Sequence, residues 1–248
     1  MFFKVTTFII SLGLLVTVTH LSSGPVTDNS DRNTVSSPII QNSSQTNYSS
    51  MPDSIVVSSP ETDTGIDAPP IPRETIKIYL NPSVQVHNSY VNGLGTEAEN
   101  MRDIAALMYQ KLATIYYIDV EGNLDRNGLS LSKSVALSNS VQRHIHFALH
   151  SNAGGGSGTE IYTKGDRSFA TAMYEGFLEL GDFKRRGIKD GNHLYEIKSS
   201  KAHHVALIEL AFHDNVKEAT FIVENKEAIA AKLVQSILKF IDKAYPAD

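Results

Sequence analysis

The sequence predicts an α/β fold: a single domain with a mostly parallel sheet flanked by helices on both faces. Three observations predict it. Short runs rich in β-branched and aromatic residues alternate with longer stretches whose apolar residues recur every three or four positions. Two of the short runs, His144–Leu149 and Val205–Leu210, are almost continuously apolar, as strands covered on both faces are. No internal repeat interrupts the alternation, so it reads as one layered unit.

In chain order, Ile76–Leu80 is the first strand, stopped by Asn81-Pro82-Ser83. A polar loop follows to Thr96. From Glu97, the spacing of Met101, Ile104, Ala105, Met108 and Leu112 gives a helix. Ile115–Val120 reads as a strand, Ser132–Val141 as a short helix and His144–Leu149 as a buried strand. Thr159–Tyr162 is a short strand after a glycine turn, and Ser168–Leu180 a helix. Val205–Leu210 is the last strand. Ala219–Val223 and Lys226–Ala244 close the chain as helices, the second with Ile229, Leu233, Ile237, Phe240 and Ile241 on one face.

The remainder of the 248 residues has a different character. Seven of the nine prolines and twelve serines fall in residues 21–75, a composition too polar to offset the entropy of ordering it. We read residues 24–74 as a disordered Ser/Pro/Asn/Thr-rich linker and 75–248 as the folded domain. Residues 1–23 read as a signal peptide or signal anchor: Lys4 precedes a run from Val5 to Val18 that is apolar or Thr/Ser/Gly throughout. That run is short of the roughly 20 residues a membrane-spanning helix needs. Either reading makes the domain an exported one, secreted to the wall or tethered to the outer face of the membrane, with the N-terminal anchor as its one membrane contact.

Most of the net charge of −5 lies in the linker, and the folded part is nearly neutral, with 20 acids against 19 bases. Without a basic tract, nucleic acid is not expected as a partner. The absence of cysteine excludes disulfides, thiolate metal sites and cysteine nucleophiles.

Candidate chemistry stands where apolar runs end. Glu209 is the one carboxylate in Val205–Phe212, where an ionised group needs a partner, a metal or a shifted pKa. A water-exposed strand end explains it equally well. His150 is the last residue of its run before Ser151-Asn152-Ala153 and three glycines, at the sheet edge where α/β folds place ligands. The glycines suit a flexible turn that lets a substrate approach the backbone. His144 and His146 lie on the same face as His150 and are expected to pack or hydrogen-bond. His87 in the first loop and Glu97 at the start of the first helix have the side chains that zinc accepts. Nothing local fixes their spacing to His150, so the residues alone leave a metal site open.

The motifs, taken in order, go further. Ile78-Tyr79-Leu80-Asn81-Pro82-Ser83 with His87, Thr96-Glu97-Ala98-Glu99 leading into Asp103-Ile104-Ala105, Leu149-His150-Ser151-Asn152-Ala153, Arg186-Gly187-Ile188-Lys189, and Leu207-Ile208-Glu209-Leu210-Ala211-Phe212-His213-Asp214-Asn215 resemble the zinc-dependent N-acetylmuramoyl-L-alanine amidases of the amidase-3 family. The resemblance covers essentially the whole folded part. It implies one Zn2+ per chain held by His87, Glu97 and His150, with Glu209 as the catalytic carboxylate; Asn152 and Arg186 are candidate substrate contacts, Arg186 equally readable as a solvated charge beside Arg185. The implied substrate is peptidoglycan, cut between N-acetylmuramic acid and L-alanine. The first motif departs from the family's Asp-Pro-Gly-His-Gly-Gly: the histidine comes five residues after Pro82 instead of two, which marks a variant branch. Gln85 and Asn88 are the other residues there able to orient the site. A wall-binding module of the same fold without catalysis, and a zinc peptidase cutting within the stem peptide, are the competing expectations.

Overall fold

The computed structural model describes residues 74–247 other than residue 126. The expected signal segment (1–23) and all but the last residue of the expected linker lie outside the described residues. A six-stranded sheet runs in the order β2-β1-β3-β6-β4-β5. Its strands are β1 (Ile76–Pro82), β2 (Ile118–Gly122), β3 (Ile145–Asn152), β4 (Thr159–Thr163), β5 (Arg185–Asp190) and β6 (His204–Phe212). All neighbours are parallel except β4 and β6, which are antiparallel. The fold class is therefore the expected one. Two elements were not apparent in the hydrophobic pattern: β5, and the five-residue helix Tyr195–Ser199.

The helices are α1 (Glu97–Leu112), α2 (Leu131–Ser138), α3 (Ser168–Leu178), α4 (Tyr195–Ser199), α5 (Val216–Glu224) and α6 (Lys226–Ala244). A capping box starts α1: Thr96 Oγ1 accepts from the Glu99 N–H (3.2 Å), and Glu99 Oε2 accepts from the Thr96 N–H (2.8 Å). This uses Glu99 at the surface and turns Glu97 inward, where it is 1% exposed.

The two faces of the sheet are unequal. Period-two alternation sends Ile78 and Leu80, Phe147 and Leu149, and Ile208 and Leu210 to one face, where α1, α3 and α6 cover them in the main core. The other face carries Tyr79 and Asn81, His146 and His150, and Leu207 and Glu209. Among the described residues, the short α2 and α4 lie over it, with a small apolar cluster of Ala148, Ile197, Val205 and Leu207. Much of this second layer is polar. Tyr79 stacks on His146 at 5.5 Å and hydrogen-bonds Ser134 at 3.0 Å, and Ser134 Oγ donates to Asn81 Oδ1 at 2.6 Å. His150 and Glu209 thus sit on the thinly covered face, at the carboxyl end of their strands.

Candidate functional site

Register pairs His150 of β3 with Glu209 of β6, and Glu209 with Glu160 of β4. Three polar residues therefore stand side by side on adjacent strands. Just beyond them the β3–β6 ladder is irregular, with Asn152 opposite Phe212. At that irregularity the Ser151 N–H points to Glu97 Oε1, 3.4 Å away. Glu97 reaches the same point from the first turn of α1, and His150 Nδ1 lies 2.9 Å from its Oε1.

The loop between β1 and α1 completes this corner. The Asn88 N–H returns to the Gln85 carbonyl (3.3 Å), closing a turn in which Gln85, Val86 and His87 are exposed and Asn88 is half-buried. Asn88 Nδ2 donates to Glu97 Oε2 (2.7 Å) and to Gln85 Oε1 (2.9 Å). Gln85 Nε2 lies 3.3 Å from Glu97 Oε1 and 3.4 Å from His150 Nδ1. The structure thus brings together Glu97, His150 and Glu209 of the expected residues, and does not bring His87 to them. Gln85 occupies that corner instead. Among the described residues, no three of His, Cys, Asp and Glu form a group able to hold a metal ion.

The electrostatics follow from burial and proximity. Burial disfavours an ionised Glu209, and the nearby Glu97 and Glu160 add to this against the opposing charge of His150, raising its pKa to about 7. Burial works against the charged form of His150, but the Glu97 hydrogen bond and the charges of Glu209, Glu97 and Glu196 outweigh it, raising its pKa to about 9. Burial likewise opposes ionisation of Glu97, and its bonds with His150 and Asn88 overcome it to hold the pKa low. One buried polar atom in this region, Glu209 Oε2, has no hydrogen-bond partner among the described residues. Such an atom marks a place prepared for a ligand, an ion or water.

Asn152 and Arg186, the expected substrate contacts, converge on one carboxylate. Asn152 Nδ2 donates to Glu160 Oε1 (3.0 Å), while Arg186 Nε and Lys189 Nζ each reach Glu160 Oε2 at 2.5 Å. The Arg186 guanidinium also lies 4.9 Å over the Phe212 ring. The glycine turn is anchored: the N–H groups of Gly154 and Gly155 both donate to Asp214 (2.6 and 2.7 Å), so its backbone is held where the sequence suggested a flexible turn.

Sequence reasoning missed Glu196. This buried carboxylate on α4 accepts from His146 Nε2 (2.7 Å) and from Asn81 Nδ2, and its Oε2 stands 3.9 Å from His150 Nε2. Its pKa is lowered: the His146 hydrogen bond, the two imidazole charges and the Asn81 bond overcome the opposing effect of burial. Glu196, Gln85 and His150 line a cavity of about 210 Å3 with Pro82 and Ser83. His146 hydrogen-bonds Ser138 (2.8 Å), and His144 accepts from the Lys77 N–H (3.0 Å), the supporting uses expected of both.

An imidazole and carboxylates gathered at the carboxyl edge of a largely parallel sheet define the class: an α/β protein with a site fit for general acid–base hydrolysis. The family model described as N-acetylmuramoyl-L-alanine amidase matches residues 86–243, and the chain belongs to this amidase-3 family. It is 26% identical over 152 residues to the N-acetylmuramoyl-L-alanine amidase CwlM of Bacillus licheniformis, a match spanning 58% of this chain and 59% of that protein. Solved structures share the fold. An N-acetylmuramoyl-L-alanine amidase from Clostridium difficile 630 superposes with a TM-score of 0.59 at 21% identity, covering 69% of this chain and 99% of that one. AmiC2 of Nostoc punctiforme gives 0.62 at 15% identity, covering 69% and 99%.

Proposed function

We propose that this chain is a peptidoglycan amidase that hydrolyses, with zinc, the bond between the lactyl group of N-acetylmuramic acid and L-alanine of the stem peptide. The observation that carries the reading is the convergence of Glu97, His150 and Glu209 at one sheet edge, in a chain of this family. The donor set suits zinc in part: a carboxylate and an imidazole stand in contact, the Gln85 amide closes the group, and Glu209, paired with His150 across the strands, has an unpartnered buried oxygen. Glu97 and His150 would hold the ion, which when bound polarises a carbonyl and lowers the pKa of water.

The chain's own groups supply the proton transfers. Glu209, with a pKa near neutrality, takes the proton of the attacking water and returns it to the leaving amine. Glu160 stands beside Glu209 and holds Arg186 and Lys189 at the rim, where they can meet an anionic group of the stem peptide. The leader of residues 1–23 supports an exported enzyme acting in the wall, on a tether supplied by residues 24–74.

The test is the mass of what the full chain releases from purified peptidoglycan. Intact stem peptides with free N-terminal alanine are expected, at a rate cut by zinc chelation. Glu209→Gln should lose on the order of 10²–10⁴ in rate with its fold retained. Shorter peptide fragments would indicate a peptidase, binding without release a wall-binding module, and near-normal turnover of Glu209→Gln would remove that residue from the mechanism.

A further inference from the structure

The corner formed by Gln85, Glu97 and His150 has measurable proportions. The three polar atoms stand 2.9, 3.3 and 3.4 Å apart. Donors bound to a tetrahedral zinc at about 2.0–2.1 Å stand roughly 3.3 Å from one another. The triangle therefore has nearly the dimensions of one face of a zinc coordination tetrahedron, and His87 is not among its corners. Gln85 is held there by its loop: its N–H points to Ser83 Oγ (3.3 Å), its carbonyl accepts from the Asn88 N–H (3.3 Å), and its Oε1 accepts from Asn88 Nδ2 (2.9 Å).

We propose that Gln85 replaces a histidine as the third protein donor, so that this chain binds its divalent metal ion through Gln85 Oε1, Glu97 and His150. The inference rests on the zinc-amidase reading and names the ligands of that same site. Half a turn of the Gln85 amide presents Oε1 to the other two donors. That turn gives up the hydrogen bond from Asn88 to Gln85, while Asn88 keeps Glu97 Oε2. An amide oxygen is neutral, like imidazole, so the total charge of the donor set is unchanged by the exchange. It is a harder donor, however, and carbonyl oxygens favour Mn2+ and its like more than imidazole does. The site should therefore hold zinc less tightly than one with two histidines, and prefer zinc over manganese by a smaller margin.

The test is direct metal binding to the full chain by calorimetry and elemental analysis, in the absence of substrate. The wild-type protein should bind one zinc, and Gln85→Leu should weaken binding at least tenfold. His87→Ala should leave it unchanged. Gln85→His should bind zinc more tightly than wild type and widen the zinc-over-manganese preference, a gain that a misfolded variant could not produce. Wild-type chain that binds no zinc, Gln85→Leu that binds normally, or His87→Ala that loses the metal would each overturn the assignment. A chain that shows the expected ligand pattern yet releases no stem peptide would overturn the amidase reading and leave the assignment standing.

Discussion

Removing the Glu196 carboxylate separates a structural contribution from an electrostatic one. Its Oε1 satisfies two donors on the thinly covered face, His146 Nε2 and Asn81 Nδ2, and it is 2% exposed. Alanine strands both donors away from water and removes a charge-assisted acceptor. Each stranded buried donor costs about 1–3 kcal/mol, so the two together cost about 4 kcal/mol. Glutamine keeps an acceptor at Oε1 and turns its amide nitrogen toward His150, so only the charge assistance is lost, about 1.5 kcal/mol. Urea unfolding followed by circular dichroism measures both variants, with an unchanged slope confirming that the difference is stability. In thermal melts, Glu196→Ala should lose about 10 °C for a domain of this size. If alanine and glutamine cost the same, or alanine costs under about 1 kcal/mol, the assignment of this carboxylate as the hub of the second layer is wrong.

Two further outcomes follow from particular contacts. An added Cβ at Gly158, where φ is +96°, would lie 2.1 Å from the Lys184 carbonyl oxygen, which the Thr159 N–H already holds at 2.9 Å. Gly158→Ala should cost about 3 kcal/mol, and Gly155→Ala, at φ +71° in open space, about 1; equal melting points would contradict the steric argument. Burial opposes ionisation of Glu160, but its bonds with Lys189, Arg186 and Tyr162 prevail and lower its pKa below the ordinary 4.5. A depressed folded-state pKa contributes stability that is present above 4.5 and lost as pH falls through the folded value. The wild-type chain should therefore lose stability below 4.5 more steeply than Glu160→Gln in urea titrations at a series of pH values, and parallel curves would exclude this linkage.

How far the sequence discloses these features depends on what each one needs. The helices α1 and α6 were legible because their buried stripes recur at helical spacing, and β3 and β6 because burial on both faces makes their central residues mostly apolar. By contrast, β5 is the edge strand beside β4 among the described residues, so Arg185-Arg186-Gly187-Ile188-Lys189-Asp190 can carry charges and a glycine at little cost, and no pattern betrays it. Five residues give α4 too little length for periodicity to show.

The same distinction governs the site. His150 and Glu209 stood out as polar residues ending apolar runs. Glu160 and Glu196 did not, because an alternating strand and a short helix each carry glutamate without comment.

 
Put simply, Glu160 meets Glu209 only when β4 pairs with β6, and Glu196 meets Asn81, His146 and His150 only when α4 folds over the sheet. His87 has a residue type that fits a metal, and it stands exposed in the turn between Gln85 and Asn88.

The unequal covering of the sheet separates two tasks. The large apolar face beneath α1, α3 and α6 gathers most of the buried apolar side chains of the strands. The face that carries His150 and Glu209 is closed by two short helices and a polar network. Sequence drift in α2 and α4 can therefore reshape the floor around the reacting groups while leaving the strands that carry them in register. Away from Glu196, which ties α4 to the sheet, a fold divided in this way can vary the surroundings of its site while its main core stays intact.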